Sequence, residues 1–171
     1  SMSCLGYAGL SAALALSAGA APGADPPSAA FAPSQCAYSV SFPAQPSISQ
    51  STTSDGGKNV AADLVRNGVR LSAACLAAPA GWPTTALAPG DVAAHMAQMA
   101  RALGVQNAQI HSLPKLSAGC GEIEGTLGEK AQPYRIEARI CIAANATFIA
   151  ETIARTDDAT TRIFLDSLAP K

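Results

Sequence analysis

Chemistry in this 171-residue chain would have to come from its five cysteines, two histidines and a few grouped carboxylates. Cys36, Cys75, Cys120 and Cys141 contain no Cys-x-x-Cys pair, the short knuckle from which zinc sites are usually built. A thiolate nucleophile needs a base beside it, and nothing in the spacing brings His95 or His111 to a cysteine. Four cysteines in an exported domain are better read as two disulfides, each typically worth about 2 to 4 kcal/mol. Asp157, Asp158 and Asp166 do not have the spacing of a calcium loop. Glu122, Glu124 and Glu137 fall on one face of a sheet near Arg135 and Arg139, a grouping that imitates a paired-carboxylate active site but reads more simply as a solvated cross-strand charge lattice. Packing or surface roles account for His95 and His111. No phosphate loop, nucleophile elbow or metal-binding histidine pair is present in the sequence, so no catalytic, cofactor-binding or metal-binding residue is assigned.

The elements that position these residues are legible in part. Tyr38, Val40 and Phe42 alternate with polar or small neighbours, a half-buried strand stopped by Pro43, and residues 44–57 read as a long polar loop. Asn67-Gly68 separates two apolar-alternating runs and predicts a hairpin with Leu64 opposite Leu71, Ala62 opposite Ala73 and Val60 opposite Cys75. Trp82, the only tryptophan, lies in a Pro-rich loop, where it either anchors a partner or folds back over the sheet edge. A helix follows with Asp91 as its N-cap, Val92, Met96, Met99 and Leu103 as its buried stripe, and Gly104 just past its end. Val105 to Leu113 reads as a strand. Residues 120–127 and 134–142 make a second hairpin, 147–155 a third strand of the meander, and Thr156-Asp157-Asp158 caps a last helix with Ile163, Phe164 and Leu168 inward. Asn145 heads an Asn-x-Thr sequon, a weak signal in a tight turn.

Four cysteines allow three connectivities. Closing the second hairpin around residues 130 and 131 sets Cys120 directly opposite Cys141 and Glu122 opposite Arg139, within reach of disulfide geometry. Cys36 with Cys75 then follows by exclusion, and the other two pairings stand as alternatives.

The order strand, hairpin, helix, strand, three-strand meander, helix resembles the PsbP-like superfamily over residues 37–169. The pieces that carry the resemblance are Tyr38-Ser39-Val40-Ser41-Phe42-Pro43 with Pro46, the helix from Asp91 to Leu103, Gly119 to Gly125, and the ending Arg162-Ile163-Phe164-Leu165-Asp166-Ser167-Leu168. The resemblance implies an α+β fold, an antiparallel sheet flanked by helices as an α/β/α sandwich, and a role in binding or assembly; it transfers no functional residue, and two disulfides depart from its general pattern.

Composition bounds the rest. With 49% hydrophobic residues, 13% charged residues and a net charge of −1, the chain offers no basic field for nucleic acid. Residues 1–24 carry no charge and, with Ala18-Gly19-Ala20, read as a signal peptide or membrane anchor; Cys4 within them is given no role. Residues 25–35 read as a Pro/Ala/Ser tether, and the folded domain as 36–171. The sequence therefore leads to a periplasmic or extracellular accessory protein, not an enzyme, that binds a protein partner in a membrane-associated complex without a cofactor. The runner-up is a small-molecule or lipid binder with a pocket between sheet and helices, lined by Met96, Met99 and Phe164, and a small hydrolase ranks third.

Overall fold

Asn67 and Gly68 take φ values of 52° and 74°, the left-handed pair that turns a two-residue hairpin with the twist of its strands. In the computed structural model, which describes residues 28–78 and 88–171, this turn joins β4 (Lys58–Arg66) to β5 (Val69–Ala77) in the predicted register, Leu64 against Leu71 and Val60 against Cys75. The hairpin lies within a seven-stranded antiparallel sheet of order β3-β4-β5-β9-β8-β7-β6, formed with β3 (Ser47–Thr52), β6 (Gln106–Ser112), β7 (Cys120–Leu127), β8 (Tyr134–Ile142) and β9 (Ala146–Ala154). A second, three-stranded sheet combines β1 (Ala29–Phe31), β2 (Tyr38–Phe42) and β10 (Ala169–Pro170). Among the described residues two helices, α1 (Pro89–Ala102) and α2 (Ala159–Asp166), join the sheets in an α+β fold. Residues 1–24, Cys4, the start of the tether and Trp82 lie outside the described residues.

Side chains alternate across a strand, so each cross-strand row belongs to one face. One face carries Val60, Cys75, Phe148, Cys141 and Cys120 in a single row, and it packs beneath the small sheet and α2 in the larger core, with Phe31, Cys36, Val40, Phe42, Phe164, Leu165 and Leu168. The other face carries Ile123 and Ile140 and is covered by Val92, Met96 and Ala100 of α1. Gly121 makes that contact close: a Cβ there would stand 2.7 Å from the Met96 methyl and 2.9 Å from the His111 carbonyl.

Several local expectations are corrected. α1 begins at Pro89 with Ala88 as an N-cap that makes no side-chain bond, and Asp91 sits in the first turn, where its charge meets the positive helix end. The chain leaves that helix at Leu103, which is 46% exposed, because Gly104 at φ 73° ends it; Ala100 fills the stripe instead. In α2, Asp158 is the N-cap and accepts the Thr160 N–H at 2.7 Å. That phase turns Phe164, Leu165 and Leu168 inward and leaves Ile163 71% exposed. The loop expected over 44–57 contains β3, whose residues are all exposed, so no apolar alternation announces it.

The described part of the expected tether is folded as well. Phe31 is 5% exposed and packs against Phe42 and Phe148 with ring centroids at 6.5 and 6.0 Å, while Ala29–Phe31 pairs with Val40–Phe42. One buried aromatic ring outweighs the surrounding Pro/Ala/Ser composition. Phe31→Ala is therefore expected to lower stability by about 3 to 5 kcal/mol in urea unfolding, whereas a tether residue would change it by less than about 0.5 kcal/mol.

Candidate binding face and the charge clusters

Both disulfides form as the register requires. Cys120 and Cys141 are opposed across β7 and β8 with Cα atoms 4.1 Å apart, and Cys36 is joined to Cys75 with Cα atoms 6.0 Å apart. The ladder bond from the Ile142 N–H to the Gly119 carbonyl at 2.9 Å makes the neighbouring Cys120–Cys141 position a non-hydrogen-bonded pair, the closer of the two antiparallel spacings. Two such bridges are the chemistry of an oxidising, extracytoplasmic compartment. Among the described helices none is long and apolar enough to cross a membrane.

The carboxylates predicted to share a face do so, but they are not a solvated lattice. Glu122 is 7% exposed and Glu137 8%. Arg139, opposite Glu122, donates to it from Nε at 2.7 Å, and its Nη1 donates to the Leu165 carbonyl at 2.9 Å and lies 3.0 Å from Asp166. Burial works against the guanidinium charge, yet bonds and attraction from Glu122 and Asp166 outweigh it and raise its pKa. Glu137 lies between Arg135 at 3.3 Å and Arg162 at 3.2 Å, with Arg135 also paired to Asp157. This cluster therefore fastens α2 to β8 and β7. Glu124, directly opposite Glu137, is pushed above the usual carboxylate range by burial, by a hydrogen bond with Glu122 and by the charges of Glu122 and Glu137; His111, 3.7 Å away and half exposed, acts the other way. Among the described residues no group of histidine, cysteine and carboxylate side chains could hold a metal ion. His95 is half-buried beside Met96 on α1.

The pocket expected between sheet and helices is not formed by its three residues. Met96 and Phe164 belong to cores on opposite faces of the sheet, each 1% exposed, and Met99 packs against the Met96 side only.

A polar surface missed at the level of sequence lies on the α1 side of the sheet. Asp63, Ser72 and Glu151 stand in one row across β4, β5 and β9, and the row continues through Ala138, Ile123 and Ile110 into the α1 core. Arg70 donates from Nε at 3.0 Å and Nη2 at 2.9 Å to Asp63 Oδ1, and the Ser72 hydroxyl donates to the same atom at 2.6 Å. Burial alone would raise the Asp63 pKa, but Ser72 and Arg70 overcome it and hold the carboxyl below its usual range. These groups rim a depression of about 180 Å³ floored by Ala61, Ala74 and Ile149. Cross-strand alternation contains the signal, since Asp63, Arg70, Ser72 and Glu151 all fall on the face opposite the cysteines.

Next to this face, β3 forms one edge of the sheet among the described residues. Ser47 through Thr52 pair with Asp63 through Lys58 without a register break, all six residues are exposed, and none is charged or proline. The opposite edge, β6, is interrupted by a register shift between Gln106 and Gln109 with Asn107 at φ 52°. Comparison with protein families, with curated proteins and with solved structures finds no match for the chain.

Two outcomes follow. Arg139→Met, which strands Glu122 in the protein, should lower stability by about 3 to 5 kcal/mol, and adding Glu122→Leu should recover most of that loss in the same urea titration. Burial raises the Glu151 pKa, with Arg70 opposing and Asp63 adding to the shift. The folded chain then holds a proton that the unfolded chain has lost, so this contribution to stability falls as pH rises from the ordinary glutamate value through the raised one. Glu151→Gln should gain stability relative to the native chain across a series from about pH 4 to 7, measured by urea unfolding at each pH.

Proposed function

We propose that the chain is an exported, PsbP-like binding module that receives an extended segment of a protein partner on the β3 edge. A single observation carries this reading: β3 presents six exposed, uncharged residues in unbroken register. Exposed edges are ordinarily blunted by charge, proline, a bulge or shortness, and strand addition is a recurrent mode of peptide capture. The partner's backbone would supply the hydrogen bonds, and alternate side chains would meet Ile48, which is 50% exposed, on one face and Ser47, Ser49 and Ser51 on the other.

The role is binding rather than catalysis, because Glu122 and Glu137, the most buried carboxylates, are committed to arginines that hold α2. The two disulfides support a periplasmic or extracellular location. The resemblance and the uncharged residues 1–24 favour a membrane-associated complex as the partner, with that segment as its signal peptide or anchor.

A photo-crosslinking residue placed at Gln50, in cells of the source organism, should give one discrete adduct with a second protein that the same residue at exposed Glu129 does not give. Ile48→Lys should remove the adduct while changing stability by less than about 0.5 kcal/mol. Recovery of the protein only free and monomeric would overturn the proposal.

A further inference from the structure

The main-chain groups of β3 do not all face the same way, and the register decides which are left over. In the turn that joins β3 to β4 the Thr53 N–H donates to the Gly57 carbonyl at 2.8 Å, so these two residues are a hydrogen-bonded pair. Hydrogen-bonded and non-hydrogen-bonded pairs alternate along an antiparallel ladder. Ser51 with Asn59, Ser49 with Ala61 and Ser47 with Asp63 are therefore the pairs bonded within the sheet, and Ile48, Gln50 and Thr52 turn both N–H and C=O away from β4. The side chains of these three share one sheet face, none is charged, and Ile48 is 50% exposed.

An incoming strand must answer those three residues. Every neighbouring pair in the seven-stranded sheet is antiparallel, and antiparallel pairing is slightly more stable per residue. In that direction the residues opposite Ile48, Gln50 and Thr52 each give and accept a main-chain hydrogen bond, so none of them can be proline. The residues between them point their N–H groups away from β3. Directly opposed side chains interact: an apolar one covers Ile48, and hydroxyl or amide side chains match Gln50 and Thr52. A second copy of β3 answers poorly. Twofold pairing about Gln50 sets Ile48 against Thr52, and pairing about Ile48 sets Gln50 against Pro46, which has no N–H.

We infer that the segment received by β3 is an antiparallel strand of a different protein, hydrogen-bonded through Ile48, Gln50 and Thr52. Read from its N-terminal end, its first and third residues are polar and uncharged, its fifth is apolar, and proline is excluded from all three places. This rests on the strand-receiving reading of β3 and adds the direction, register and residue classes of the partner.

The test titrates the full oxidised, isotope-labelled chain with the capped peptide Thr-Thr-Gln-Thr-Val and follows amide exchange by NMR. In the free chain the Ser49 and Ser51 amides should exchange slowly and those of Ile48, Gln50 and Thr52 fast; the peptide should protect the latter three. N-methylation of the peptide's glutamine should weaken binding about fivefold, the equivalent of one neutral hydrogen bond, whereas N-methylation of its second residue should not. Gln50→Pro removes an outward N–H and no bond to β4, so it should also weaken binding about fivefold. The reversed peptide Val-Thr-Gln-Thr-Thr loses the apolar match to Ile48 and should bind about threefold more weakly. No binding by either peptide, equal binding of the two, or no loss on methylating the glutamine would each overturn the inference. So would protection of Ile48, Gln50 and Thr52 already in the free chain, where a second copy or another part of the chain holds the edge. Should Gln50→Pro not fold, the methylated peptides decide. A crosslink from Gln50 to a second protein in cells, found alongside failure of the peptides, would leave the strand-receiving reading standing and remove only this register and sequence; absence of that crosslink removes both.

Discussion

Cys75, Phe148, Cys141 and Cys120 stand in one row across four neighbouring strands, and the rest of the structure depends on what that row holds. Cys141 and Cys120 close on each other within the sheet, whereas Cys75 reaches out to Cys36 and ties down the chain entering the small sheet. Phe148, between the bridges, lies against Tyr38 and Phe31, and the contact passes through Phe42 to Phe164 of α2, where the centroids are 4.8 Å apart. All four phenylalanines of the chain are spent in this one cluster. In a core otherwise rich in alanine, which buries little surface per residue, these rings supply the large apolar contacts, and the disulfides limit how far the unfolded chain can expand.

From that row the sheet divides into quadrants. On the disulfide face, β4, β5 and β9 present Ala62, Leu71, Ala73 and Ala150 to the small sheet and α2, while β8 and β7 turn to Arg139, Glu137, Glu122 and Glu124. On the reverse face the polarity is inverted: β8 and β7 present Ile140 and Ile123 to α1, and β4, β5 and β9 present Asp63, Arg70, Ser72 and Glu151. The apolar quadrants are diagonal to each other, so one sheet supports two cores without either covering layer spanning its full width. Of the two polar quadrants, one is consumed in seating α2 through Arg139. The other is open and adjoins β3.

Elements whose residues obey a strict local rule were legible before the structure. Asn67-Gly68 set the first hairpin register, alternation in 120–127 and 134–142 set the second, and the cysteine pairing followed because a one-residue slip would have placed Cys120 and Cys141 on opposite faces. What escaped notice has a common physical origin. β3 buries none of its residues and so has no inward face to produce a period of two, and its strand is defined by hydrogen bonds to β4 alone. Phe31 is one aromatic among Ala, Pro and Ser, and its significance depends on Phe42 and Phe148 far along the chain. Burial of Glu122 and Glu137 depends on α2 settling over them, a tertiary fact that a charged pattern on a strand does not contain. The pocket assigned to Met96, Met99 and Phe164 failed for a related reason, since apolar periodicity says that a helix has a buried side but not which face of the sheet receives it.

Among the described residues the seven-stranded sheet ends in two edge strands, and these two end differently. At β6 the register breaks and Asn107 takes a left-handed conformation, a distortion that spoils the template for another strand. At β3 the pairing is regular from Ser47 to Thr52, and serine, glutamine and threonine keep it soluble without contributing any charge to repel an incoming chain. A lysine within the strand would protect it at little cost in stability, because exposed substitutions of that kind usually change folding by less than about 0.5 kcal/mol. Folding therefore does not require the uncharged edge. Its hazard is unwanted pairing, and an edge built this way fits a strand-receiving surface better than a neglected one.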